Sequence, residues 1–116
     1  MRVLVCGGRD YKNKARVEQI LNLLPKKGLV IIQGNAPGAD YLAKEWAQEN
    51  KVECLSFPAD WQQYGRKAGY IRNKQMLDEG KPDLVIAFPG GTGTDMMVTL
   101  SESAGVLTKR VTDRPA

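Results

Sequence analysis

The 116-residue sequence contains no histidine. That absence excludes Ser-His-Asp and Cys-His catalysis and any histidine-ligated metal site. Chemistry here must use Asp, Glu, Arg, Lys, Tyr, Ser, Thr, Cys or backbone amides. Cysteine is scarce. Cys6 and Cys54 stand far apart without metal-ligand spacing, so both are expected as reduced core residues. Aromatic residues make up only 7% of the chain, too few for an extended base-stacking surface. No apolar run approaches the ~18 residues of a membrane span. The opening stretch, MRVLVCGGRD, has no secretory apolar region or cleavage site. The expected location is therefore the cytoplasm. No low-complexity tract or Ser/Gly linker divides the chain, so residues 1–116 are expected to form one domain.

The formal net charge is +4. A modest positive balance suits an anionic ligand. The basic residues are scattered, with three adjacent pairs (Lys26-Lys27, Arg66-Lys67, Lys109-Arg110), and make no stripe of the kind that tracks a nucleic-acid backbone.

Strand and helix patterns alternate along the chain. Short apolar runs at Arg2–Cys6, Leu29–Gln33, Val52–Phe57 and Asp83–Phe88 read as buried strands. Asn13–Leu24, Ala39–Asn50, Arg66–Glu79 and Thr94–Val106 carry apolar residues at helical spacing. Pro58–Tyr64 reads as a loop, and a short strand is expected near Leu107–Val111. Runs that are apolar on both faces, alternating with helices, predict an α/β fold: a Rossmann-like, doubly wound domain with a mainly parallel sheet. In such sheets ligands bind beyond the carboxyl ends of the strands. Four loops of special composition fall there: Gly7–Tyr11, Gly34–Asp40, Pro58–Tyr64 and Pro89–Asp95.

The stretch AFPGGTGTDMM, Ala87 to Met97, has two readings. In the first, Gly90, Gly91 and Gly93 let the backbone approach a phosphate. Thr92 and Thr94 add hydroxyls, and the next helix supplies free amides and the positive end of its dipole. In the second it is a tight turn after Pro89 with Thr94 as N-cap. It is neither a Walker A loop nor a full G-x-G-x-x-G, because Met96 takes the third place. Neither a cofactor nor a metal is expected.

The other loops divide similarly. Gly7 and Gly8 allow close approach, and Arg9 either clamps a phosphate or pairs with Asp10. In GNAPGAD, Gly34 and Gly38 flank the turn, and Asp40 either serves the helix dipole or binds ribose hydroxyls. Trp61 either stacks on a base or covers the core. Arg72 and Asn73 lie one turn before Met76 and Leu77, so both continue an inward-facing stripe. A guanidinium there needs a partner: an anionic ligand, or one of Asp10, Asp40 and Asp60.

Taken in order, VCGGRDY, IIQGNAPGADYLAKEWA, FPADWQQYGRKAGYIRN and DLVIAFPGGTGTDMMV resemble the YspA-like, cpYpsA-related branch of the SLOG superfamily. The resemblance spans Val5 to Val98. It implies a Rossmann-like domain that binds a nucleotide or nucleotide-derived molecule, such as an ADP-ribose-like one, with Pro89–Thr94 in the site. It also implies a homodimer. The LOG enzymes of this superfamily are similar through a P-G-G-x-G-T-x-x-E motif, and they cleave the N-glycosidic bond of nucleoside monophosphates. Their catalytic glutamate aligns here with Met97, which cannot move a proton. Asp95 lies two residues earlier, about 200° around a helix. Arg72 resembles the arginine that the YspA-like branch places before Asn73.

Three functions compete. A hydrolase would hold phosphate on Arg72 and the glycine loop, with Asp40, Asp95 or Asp10 as acid or base. A binding module would capture a nucleotide signal and leave it unchanged, as Met97 favours. Single-stranded DNA binding, through the more distant DprA resemblance, ranks last.

Overall fold

A computed structural model describes residues 1–113. Arg114, Pro115 and Ala116, the last of the expected domain, lie outside the described residues. Five strands form one sheet: β1 (Arg2–Cys6), β2 (Val30–Gln33), β3 (Glu53–Ser56), β4 (Leu84–Ala87) and β5 (Leu107–Arg110). Their order is β3-β2-β1-β4-β5, and every pairing is parallel. The fold is Rossmann-like, as the alternating pattern predicts. Among the described residues no helix is long and apolar enough to cross a membrane.

Each helix of ordinary length is a crossover between parallel strands. These are α1 (Lys14–Leu21), α2 (Ala39–Glu49), α4 (Ala68–Gly80) and α5 (Thr92–Ser103). A one-turn helix, α3 (Trp61–Tyr64), and a 3-10 turn at Gly65–Lys67 precede α4. The strand period of two sorts the core into two layers. Val3, Val5, Ile31, Leu84 and Ile86 face Val17, Leu21, Ala43 and Trp46 of α1 and α2. Leu4, Cys6, Ile32, Val85 and Ala87 face Met76, Met97 and Val98 of α4 and α5.

Several boundaries differ from the sequence reading for local reasons. The segment read as a loop at Pro58–Tyr64 contains α3. The Asp60 side chain accepts from the Gln63 amide at 3.0 Å and caps it. α1 stops at Leu21, and Asn22 closes it before Pro25 is reached. α5 starts at Thr92, with Gly91 at the cap position, so Thr94 is not the N-cap. Thr94 instead lies buried in the first turn. β3 and β5 are the sheet's edges and are half exposed, unlike the three central strands. Both cysteines are free thiols, Cys6 buried and Cys54 only partly so.

Candidate functional site

The strand order reverses at β1, whose neighbours are β2 and β4. The loops after β1 and β4 therefore diverge onto opposite faces, and a crevice opens between them at the carboxyl edge. Here the loops join at their base, where the Gly8 amide donates to the Pro89 carbonyl at 2.9 Å. The α2 entry closes against the same point, with the Ala39 amide donating to the Gly8 carbonyl at 3.2 Å. Contact this close tolerates no side chain. Gly38 has φ +84°, and a Cβ there would collide with the carbonyl oxygens of Gly8 and Arg9. A Cβ on Gly90 would strike the Thr94 hydroxyl and the Gly8 amide. Gly91 and Gly93 are different: a Cβ on either would meet nothing within 4 Å. They have no packing reason to be glycine.

Above this junction lies a cavity of about 480 Å³. Gly7, Gly8 and Arg9 form one side, and Gly91, Gly93 and Thr94 form another. Ala36 and Asp40 contribute from the β2–α2 loop and α2. The floor is apolar, made by Cys6, Met76 and Met97, with Met96 beside them. Trp61, Arg66, Gly69, Tyr70, Arg72 and Asn73 bring in α3, the 3-10 turn and α4.

The polar groups are specifically held. Arg72 donates from Nη1 to the Gly34 carbonyl at 2.6 Å and from Nε to Asn73 Oδ1 at 2.9 Å. Nη2 makes neither of these bonds. Among the described residues no carboxylate forms an ion pair with Arg72. Burial lowers the pKa of its guanidinium, Asp40 opposes that, and Arg9 adds to it. Asp40 accepts on Oδ2 from the Gly34 and Ala36 amides, at 3.1 and 3.2 Å. One carboxylate oxygen thus closes the β2–α2 loop. Burial pushes Asp40 up to about 6, against those two amides and the guanidiniums of Arg72 and Arg9. Burial likewise pushes the Cys6 thiol up to about 12, so it is no nucleophile at neutral pH. At the mouth, the Arg9 guanidinium lies 5.4 Å from the centre of the Trp61 ring.

Of the residues singled out in the sequence, Gly7, Gly8, Arg9, Asp40, Trp61, Arg72, Asn73, Gly91, Gly93 and Thr94 line this cavity together. Gly34, Gly38, Pro89 and Gly90 stand just behind it, as loop packing or as the carbonyl that holds Arg72. Thr92 is exposed at the start of α5 and outside the lining. Asp10 is exposed and also outside it. So is Asp95, whose carboxylate pairs with Arg110 Nη1 at 3.1 Å.

The sequence reading missed Arg66, Gly69 and Tyr70, and it placed Cys6 in the core only. A signal for the first two existed. Going back from Asn73 by four residues gives Gly69, and by three more gives Arg66, so the same side of the chain continues about two turns earlier, out to the cavity mouth. Nothing in the local pattern marks Cys6 as a floor residue, because its exposure depends on the helices that cross above it.

Comparison with known proteins agrees with the fold. Residues 1–64 match the model of the family described as YspA, cpYpsA-related SLOG family. The chain is also 34% identical over 124 residues to the Gene 61 protein of Mycobacterium phage D29, an alignment covering 98% of each chain. The switch-point crevice, the loops that meet there and the family match over more than half its length agree: this chain belongs to the YspA, cpYpsA-related SLOG family.

Proposed function

We propose that the cavity binds a nucleotide-derived small molecule by its phosphate. The reading rests chiefly on Arg72, a half-buried guanidinium in the cavity wall with no ion-paired carboxylate among the described residues. A charge held this way calls for an anion. Gly91 and Gly93 support the same reading, since their backbone is bare where no neighbour requires it. They open the first turn of α5, whose free amides favour an anion. The apolar methionines and Trp61 suit the remainder of a nucleoside. Membership of the SLOG family supports a nucleotide-related ligand.

Native mass spectrometry of freshly purified protein tests this, followed by incubation with a nucleotide and ADP-ribose library. Wild type is expected to retain a phosphorylated ligand or to bind one from the library. Arg72→Ala is expected to weaken that binding by more than about tenfold, as loss of a charged hydrogen bond costs roughly 1.5–3 kcal/mol. No binding by the folded wild type would sink the proposal.

One observation favours a second reading, hydrolysis of the bound molecule. Asp40 lies in the cavity, and its pKa of about 6 suits proton transfer near neutral pH. Met97 offers no second acid or base, and Asp95 faces Arg110. Asp40 is thus the carboxylate for this role. Product mass in the same incubation would establish it, and an intact ligand would exclude it. The homodimer is a further proposal. Leu107, exposed on the edge strand β5, supports it, and light scattering of the purified chain decides it.

A further inference from the structure

The cavity has more cationic groups than a single phosphate at α5 requires, and they lie at different depths. Arg72 is deep, tied by Nη1 to the carbonyl at the end of β2. Arg9 and Arg66 are exposed and belong to the mouth. Arg9 is located there by its position over the Trp61 ring. The ring itself lies along the first turn of α4, where Gly69 leaves room for its edge at 3.5 Å from a would-be Cβ. Arg66 comes from the 3-10 turn that directly follows α3, the helix that carries Trp61. Neither arginine ion-pairs with a carboxylate among the described residues. Three guanidiniums therefore line a cavity with a single carboxylate, Asp40, and that carboxylate already spends one oxygen on its own loop. The first turn of α5 enters the lining through other residues, Gly91, Gly93 and Thr94. A phosphate seated on them leaves the charge at the mouth uncompensated.

We propose that Arg9 and Arg66, framed by Trp61, form a second anion subsite, so that the ligand is a nucleoside diphosphate or a diphosphate-linked nucleoside and not a monophosphate. The proposal rests on the phosphate reading above and narrows it. Arg9 and Arg66 read the number of phosphoryl groups, and Arg72 with the α5 amides holds the first.

The test compares matched pairs: AMP with ADP, GMP with GDP, CMP with CDP and UMP with UDP. Binding is measured by calorimetry at about 0.15 M salt, where remote charges are screened beyond ~8 Å. Trp61 fluorescence is a second readout, with Trp61→Phe to subtract the buried Trp46. For at least one base the diphosphate is expected to bind about tenfold or more tighter than the monophosphate. In Arg9→Gln/Arg66→Gln that ratio is expected to fall below about threefold. Lys27→Gln, an exposed charge away from the cavity, is expected to leave the ratio as in wild type. Equal binding of mono- and diphosphate by wild type overturns the second subsite and leaves the phosphate reading standing. So does a double variant that weakens both members of a pair alike, since the arginines would then only steer anions. Failure of every pair and of ADP-ribose to bind overturns both readings.

Discussion

The two faces of the sheet are covered unequally. On the α1–α2 face, Trp46 is fully buried among Val3, Val17, Leu21, Ile31 and Ile86, and its indole N–H donates to Asn22 Oδ1 at 2.9 Å. The α4–α5 face has fewer buried residues, and three of them (Cys6, Met76 and Met97) line the cavity as well as the core. One face buries its largest side chain entirely, and the other opens into the cavity at its carboxyl end. The difference lies in the crossovers: α2 begins pressed onto the β1 loop, whereas α4 is reached only after α3 and the 3-10 turn, which stand off from the strands and wall the cavity.

Substitution can break this contrast. Trp46→Ala is expected to cost about 3–5 kcal/mol in urea unfolding, through lost burial and the cavity left behind. Met97→Leu on the other face is expected to cost less than about 1.5 kcal/mol, because the volume is kept. Equal costs would mean the open face is as tightly packed as the closed one.

The glycines carry the same contrast at the level of the backbone. Gly38→Ala places a Cβ against two carbonyl oxygens at positive φ and is expected to destabilise by about 2 kcal/mol or more. Gly91→Ala has open space around it and is expected to leave stability within about 0.5 kcal/mol while weakening ligand binding. Thermal melts with and without ligand separate the two. A large loss of stability in Gly91→Ala would show that the glycine serves packing.

Asp40 gives a pH signature to the loop it closes. Its pKa is about 6 in the folded chain against an ordinary 3.8, so between those values the folded state binds more protons than the unfolded. Its contribution to stability is therefore full below about pH 4 and is lost as pH rises through about 6, by an amount on the order of 2–3 kcal/mol. Asp40→Asn, which keeps an acceptor for the loop amides, is expected to flatten this part of the profile. Parallel profiles for variant and wild type from pH 4 to 7 would contradict the buried carboxylate.

The smallest effect is expected outside the cavity. Asp95→Asn removes an exposed pair with Arg110 and should change stability by about 0.5 kcal/mol or less and ligand binding not at all. A large loss of binding would place Asp95 in the site after all.

Much of this molecule is legible in the order of residues. Arg2–Cys6 reads as a strand and is one, because a short apolar run, Val3 to Cys6, before two glycines has few other uses. The inward stripe through Arg72, Asn73 and Met76 is likewise readable from helical spacing, and Asn73 and Met76 are buried. The start of α5 is not readable. Thr92 and Gly93 are poor helix formers, yet they take helical form where the chain leaves Pro89 and Gly90 pinned against Gly8. The helical turn at Trp61 was signalled by Asp60 and Gln63, but that signal is weak beside the proline before it.

By itself the sequence determined the alternation of strand and helix, the parallel sheet that follows from it, and the four loops at one edge. Periodicity, glycine and proline act over a few residues, and a linear pattern records them. The tertiary structure alone decided which groups meet. It brought Gly8 to Pro89, Arg72 to Gly34 and Arg9 to Trp61, and it sent Asp95 to Arg110. These partners stand 15 to 81 residues apart, and only the packing of loops and helices on the finished sheet sets the distances between them.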